Sequence, residues 1–157
     1  MITLTSVDQV NAPPERVWQF LTRLHESDTY LQWHPADHKA FRLLIGDGQT
    51  VGSTFNAVEM LGGKKFSLSY RLNRAKPQKY LEYGASGLLR PLRLVTATFT
   101  LKPSGDQQTE LTARVHIGYK LPVIDWLIRL FVNPSAIQKH MAEEGRYLNG
   151  ALTTKEG

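Results

Sequence analysis

Cysteine is absent from the 157 residues of this chain. That absence removes disulfides, thiolate metal sites and a cysteine nucleophile together, and it leads to the expectation of a reducing, cytoplasmic setting. Histidine is scarce, with five residues. Long hydrophobic runs are missing too. The longest, Pro122 to Val132, is interrupted by Asp125 and Arg129 and falls short of the roughly 20 apolar residues that span a bilayer. No integral membrane segment is therefore expected. The opening residues, Met1-Ile2-Thr3-Leu4-Thr5-Ser6, lack a basic stretch followed by an apolar one, so no secretory signal is expected. Nor is there a dense run of one charge. The net charge is +5, but Lys64, Lys65, Arg71, Arg74, Lys76, Lys79, Arg90 and Arg93 are scattered. Scattered cations usually form a solvated exterior; several on one face would favour an anionic surface or ligand. Without a basic and aromatic cluster, nucleic acid is not an expected partner. A Gly-x-Ser-x-Gly elbow, a phosphate loop and a dinucleotide fingerprint are all missing.

What is present reads as one domain over residues 1–157, with an ordinary apolar fraction of 41%. Ile2 to Val10 predicts a strand. Asn11-Ala12-Pro13-Pro14-Glu15 predicts a helix start with Asn11 or Ala12 at the cap, since proline is tolerated in a first turn. Val17, Trp18, Phe20, Leu21 and Leu24 then recur at helical spacing. Glu26 to Asp37 reads as a connector with short helical turns. Strands are predicted at Phe41–Ile45, Val51–Leu61, Phe66–Leu72, Lys79–Ala85, Leu92–Leu101 and Glu110–Tyr119. Gly62-Gly63 is a hairpin signal, and Pro103-Ser104-Gly105-Asp106 reads as a turn. Val123 to Val132 is apolar nearly all round. Asn133-Pro134 breaks it and restarts a helix from Ser135 to Leu152. Trp18 and Trp126 are both expected in the core. The predicted class is α+β: a helix-grip arrangement, with an antiparallel β-sheet wrapped around a long C-terminal helix and an internal cavity. Phe55, Phe66, Tyr70, Phe99 and Met141 are expected to wall that pocket.

Two segments carry chemistry. One is Trp33-His34-Pro35-Ala36-Asp37-His38; the other is His140-Met141-Ala142-Glu143-Glu144. Imidazole and carboxylate groups converging from distant segments are the usual makings of a zinc-type site. His140 and Glu144 share a helix face with Ile137, Met141 and Leu148. A carboxylate among apolar neighbours needs a compensating charge, which a divalent cation or a simple His–Glu hydrogen bond would supply. Glu59 alternates with Phe55, Ala57 and Leu61 and so reads as inward, although the opposite face also carries apolar Val58 and Met60. His34 and His38 flank Pro35, which stops a regular helix. Their spacing need not put both rings on one face, so one of the two is expected to bind, His38 in preference and His34 as its substitute. Asp37 either orients a histidine as an outer acceptor or caps a turn. His116 reads as a histidine on the solvent face of a strand, and His25 as a helix-end residue outside any site.

The order of elements, with Ala12-Pro13-Pro14-Glu15-Arg16-Val17-Trp18 opening the first helix, resembles the START-like superfamily. That group holds the Bet v 1 allergens, polyketide cyclases and lipid-transfer domains. Tyr30 to His38, Val51 to Glu59 with Gly62-Gly63, and His140 to Gly145 resemble, more narrowly, the diacetylphloroglucinol hydrolase group. Those enzymes cleave a carbon–carbon bond between an acyl group and an aromatic ring, using zinc. The resemblance implies His38, Glu59, His140 and Glu144 as ligands to zinc or another divalent metal, and Tyr30 as a substrate-facing phenol. The expected partner is a small hydrophobic or aromatic ligand. A non-catalytic carrier and a metal-free cyclase or dehydratase remain the alternatives.

Overall fold

The computed structural model describes residues 1–153. Its order is β1 (Ile2–Val10), α1 (Pro14–Thr22), α2 (Thr29–Trp33), β2 (His38–Ile45), β3 (Thr54–Leu61), β4 (Lys64–Lys76), β5 (Tyr80–Ala85), β6 (Val95–Gly105), β7 (Gln108–Ile117), α3 (Pro122–Phe131) and α4 (Pro134–Thr153). A 3-10 turn over Gly87–Leu92 joins β5 to β6. The seven strands form one sheet in the order β1-β7-β6-β5-β4-β3-β2. All pairings are antiparallel. The architecture is α+β, with the sheet curled around α4.

From β2 to β7 the sheet is a meander, and two of its turns are tight. Leu61 pairs with Lys64, leaving Gly62 and Gly63 as a two-residue turn at φ +58° and +78°. Both values lie in the left-handed region, where glycine has no Cβ penalty. Between β6 and β7, Gly105 pairs with Gln108. The expected turn at Pro103 to Asp106 is therefore shorter, and β6 runs on through Pro103. The register shifts between Pro103 and Gly105; a bulge tolerates a residue that lacks a ladder donor.

Helix α1 begins one step later than the sequence suggests. Pro13 takes the cap position in extended conformation, without a side-chain cap, and Pro14 opens the helix. The sterically fixed φ of proline sets the start, so the polar side chain of Asn11 is not the signal. The α1 face formed by Val17, Trp18, Phe20 and Leu21 is buried. It joins Val10, Leu72, Leu81, Leu101, Leu111, Leu148 and Leu152 in the core. Helix α4 starts at Pro134, with the Asn133 side chain accepting from the Ala136 N–H at 3.2 Å. The main correction concerns α3. Trp126 is 59% exposed, and Val123, Leu130 and Phe131 are exposed as well. An apolar sequence meant a buried helix only if another layer covered it, and none of the described elements does.

Helix α4 packs mainly on β1. At the crossing, a Cβ on Gly145 would overlap the Asp8 carboxylate, which accepts a hydrogen bond from Ser6 at 2.8 Å. Gly145→Ala gains about 1 kcal/mol of helix propensity but forces Asp8 aside, and overpacking of this kind costs about 1–3 kcal/mol. The substitution should lower the urea midpoint in the wild-type background. In an Asp8→Ala background it should raise it. A double-mutant cycle measured by denaturation reads the coupling directly.

Candidate functional site

Between the sheet and α4 the chain leaves a cavity of about 360 Å³. Its walls are aromatic and aliphatic. Phe55, Phe66, Tyr70, Phe99 and Met141 all line it, together with Leu21, Leu24, Phe41, Tyr83 and Ile137. Alternation in β3, β4 and β6 sends these side chains to the concave face. One end of the cavity is polar. There Tyr30, Glu59, His140 and Glu144 reach the lining.

Four elements bring that end together. Helix α2 and the tight corner after it supply Tyr30, His34 and Asp37, and β2 starts with His38. The Asp37 and His38 N–H groups both bond to the His34 carbonyl, at 3.1 and 2.8 Å, which folds the Pro35 segment into a compact turn. Glu59 stands on β3 directly opposite His38. Helix α4 presents His140 and Glu144 one turn apart. His34 and His38 are each 1% exposed and His140 6%, so all three imidazoles sit out of bulk water.

The hydrogen bonds fix how the rings are used. His38 Nδ1 lies 2.8 Å from the Tyr30 carbonyl oxygen. A carbonyl only accepts, so Nδ1 carries the hydrogen. His38 Nε2 then faces Glu144 Oε1 at 2.9 Å. His140 repeats the pattern. Its Nδ1 meets the Asp37 carboxylate at 3.0 Å, and its Nε2 lies 3.4 Å from the same Glu144 oxygen. Both rings thus turn Nε2 toward one carboxylate. Ligand atoms of His38, His140 and Glu144 all lie within 4.8 Å of one another. Glu59 accepts a hydrogen bond from the Tyr30 hydroxyl and faces the same space.

His34 is used differently. Its Nδ1 accepts from the Asp37 N–H at 3.2 Å, so its hydrogen sits on Nε2, which donates to Glu143 at 3.0 Å. It therefore turns away from Glu144. With Asp37 and His140 it makes a second group of possible ligands on the outer side. Glu143 escaped the sequence reading; its spacing from His140 by one turn was the available signal. The Trp33 indole also went unassigned, and it donates to the Glu144 carbonyl at 2.9 Å. His116 bonds Thr3 at 2.9 Å in an exposed position. His25 packs toward Phe55, with ring centroids 6.5 Å apart.

Electrostatics set the protonation states of these side chains. Burial raises Glu59, and the neighbouring Glu144 charge raises it further. Burial also opposes ionisation of Glu144, but hydrogen bonds from His140 and His38 outweigh it and hold the carboxyl down at about 2. Burial works against a charged His140, yet the bonds to Glu144 and Asp37 prevail and lift it to about 9. Tyr30 is raised, first by burial and then by Glu59.

The sequence profile of the polyketide cyclase / dehydrase and lipid transport family matches residues 1–144. The chain belongs to that family. Solved structures of similar shape agree with this START-like membership. TTHA0849 from Thermus thermophilus superposes with a TM-score of 0.76 at 13% identity, covering 99% of this chain and 100% of its own. The major latex-like protein 151 of Panax ginseng gives 0.73 at 12%, covering 95% of each chain. NE0264 from Nitrosomonas europaea gives 0.69 at 18%, covering 99% and 96%. These likenesses concern the fold. No curated protein sequence matches the chain. For a member of the polyketide cyclase / dehydrase and lipid transport family, the apolar cavity is a site for a hydrophobic ligand.

The pH dependence of the ion-free protein follows from these shifts. His140 holds its proton more tightly when folded, so its contribution is complete below about 6.5 and is lost as pH rises through about 9. Glu144 is depressed, so its contribution is complete above about 4.5 and is lost as pH falls through about 2. In chelator, the stability lead of wild type over His140→Ala should peak near pH 4.5–6.5 at about 3 kcal/mol or less and shrink toward pH 9. Urea melts across that range measure it. A lead that stays constant to pH 10 would contradict an imidazolium at His140.

Proposed function

We propose that the chain binds a small aromatic or polyketide-like ketone in the cavity and hydrolyses it at the polar end with a divalent metal, zinc fitting the donors best. The observation carrying this reading is the shared orientation of His38 and His140. Each gives its Nδ1 hydrogen to an outer oxygen and aims Nε2 at Glu144, the pattern by which outer acceptors orient metal-binding imidazoles. Two neutral nitrogen donors facing a carboxylate leave a gap in charge that a proton or a cation must fill. His38, His140, Glu144 and Glu59 would hold the ion, two imidazoles and two carboxylates balancing a divalent charge. When bound, such an ion polarises a carbonyl and lowers the pKa of a coordinated water.

The chain's own residues do the rest. The aromatic walls hold the ring of the ligand and exclude water. The volume lies near the lower end of the range of about 300–1,000 Å³ usual for small-molecule sites, which suits a one-ring or two-ring ketone. Hydrolysis of an acyl–aryl bond places hydroxyl on the acyl carbon and hydrogen on the ring carbon. Tyr30 stands at the cavity wall with its hydroxyl on Glu59, so it is placed to hold the proton that the ring carbon needs. The second reading, a carrier of a hydrophobic ligand, draws on the predominance of apolar lining. In that case the polar end only anchors a head group.

Metal content of untagged protein separates the two. The expected result is about one zinc per chain for wild type and a loss of at least about tenfold in His140→Ala, which follows the usual cost of losing a ligand or its support. Wild type should also melt lower in chelator by the ligand-linked stability, while His140→Ala should not respond. No copurifying metal together with an unchanged melt would favour the carrier. A second test concerns Tyr30→Phe. If it holds the proton, this variant should keep metal and ligand binding but lose at least about a hundredfold in turnover of an acyl-aryl ketone.

A further inference from the structure

Helix α3 shows its more apolar side to solvent. Val123, Trp126, Leu127, Leu130 and Phe131 are 44–74% exposed, while Ile124 and Ile128 are half-buried beneath them. Its ten residues make about 15 Å of helix, half of what a bilayer crossing requires. None of the helices of the described residues is long and apolar enough to cross a membrane. The helix also ends at the cavity. Phe131, Val132 and Asn133 line it together with Gly62 and Lys64 of the β3–β4 hairpin, and exposure of Gly62, Lys64, Phe131 and Asn133 marks this as the open end.

The same end of the sheet is basic. Ile2, Ile117 and Val95 lie side by side in the ladder, and the Gly118 N–H bonds the Leu94 carbonyl at 2.9 Å. This places Arg93 and Lys120 beside the start of α3, with Arg90 in the turn that closes on Arg93, while Lys64 shares the cavity rim with the end of α3 and Lys65 follows it on β4. All five are exposed. The acid within α3, Asp125, is already committed: it accepts from the Met1 ammonium and from Arg129, both at 3.0 Å.

We propose that α3 docks in the plane of an anionic lipid surface and sets the cavity opening against it. A short apolar helix with exposed tryptophan and phenylalanine, ringed by cations, has the composition of an interfacial helix. A second copy of the chain is the competing occupant. Packing this face on itself would bring two sets of five cations together, which like-charge repulsion disfavours. Docking does not depend on a metal at the polar end. It gives an apolar ligand a route from lipid into the cavity without crossing water.

Vesicle sedimentation tests it. The vesicles are phosphatidylcholine alone, or phosphatidylcholine with about a third phosphatidylglycerol. Wild type should sediment with the anionic vesicles, with a blue shift in tryptophan emission, and should be released by high salt. Trp18 and Trp33 are buried, so the shift reports Trp126; Trp126→Phe should bind but lose it. The Trp126→Ser/Leu130→Ser variant, and independently Lys64→Glu/Lys65→Glu, should bind at least about tenfold more weakly with unchanged melting. Wild type remaining in the supernatant with both vesicle types would overturn the proposal. So would unchanged binding by both variants, or a lipid-free dimer that the Trp126→Ser/Leu130→Ser variant abolishes.

Discussion

Four hydrogen bonds hold the corner between α2 and β2 against the middle of α4. Trp33 donates to the Glu144 carbonyl, His34 to Glu143, and His38 meets Glu144 while His140 meets Asp37. This cross-link spans more than a hundred residues of sequence. It fixes where α4 stops sliding along β1, and so fixes the depth of the cavity between helix and sheet. Without it, the apolar faces of α4 and the sheet could close by shifting register, because hydrophobic contact alone is non-directional. Polar groups that must meet specific partners remove that freedom.

The same cross-link is expensive. It takes three imidazoles and two glutamate carboxyls out of bulk water, and unpaired buried charges cost far more than paired ones. The shifts describe how the expense is met: Glu144 stays ionised because two imidazoles bond it, while Glu59, lacking such donors, is pushed toward its neutral form. A fold seeking only stability would fill this end with leucine, as it does around Leu72, Leu81 and Leu148, each 0% exposed. The division of the interior into a dense apolar end and an open polar end is the mark of a site, where local rules of packing are broken at a stability cost.

Much of this arrangement was legible in the sequence, for identifiable reasons. Period-two alternation put Glu59 on the face of Phe55 and Ala57, and one helical turn joined His140 to Glu144. These are local periodicities, and they survive folding unchanged. The roles of His34 and His38 were not legible, since they hinge on which ring nitrogen accepts the Asp37 N–H inside a three-residue turn. Trp126 misled for another reason. Hydrophobicity tells that a residue gains by burial, and the partner that buries it need not belong to the same chain. Pro103 misled because a bulge can hold a proline within a strand, which composition alone reads as a turn.

The polar groups of the interior stand nearer its opening than its deepest point. Glu59 pairs with Phe66 close to the hairpin turn that follows Leu61, whereas Phe55 and Tyr70 pair farther from that turn. His140 follows Ala136, which lies against Gly62, by one helical turn. Beyond this polar group the lining is largely aromatic, with Phe55, Tyr70, Tyr83 and Phe99. A ligand of the proposed kind, an apolar body with one carbonyl, would fit this lining with its body against the aromatic walls and its carbonyl toward Tyr30 and His140. Turned the other way, it would press hydrocarbon against the ionised Glu144, and leaving a buried polar group without a partner costs on the order of 1–3 kcal/mol. The polar group therefore favours one orientation of that ligand, because it interrupts a mainly aromatic wall.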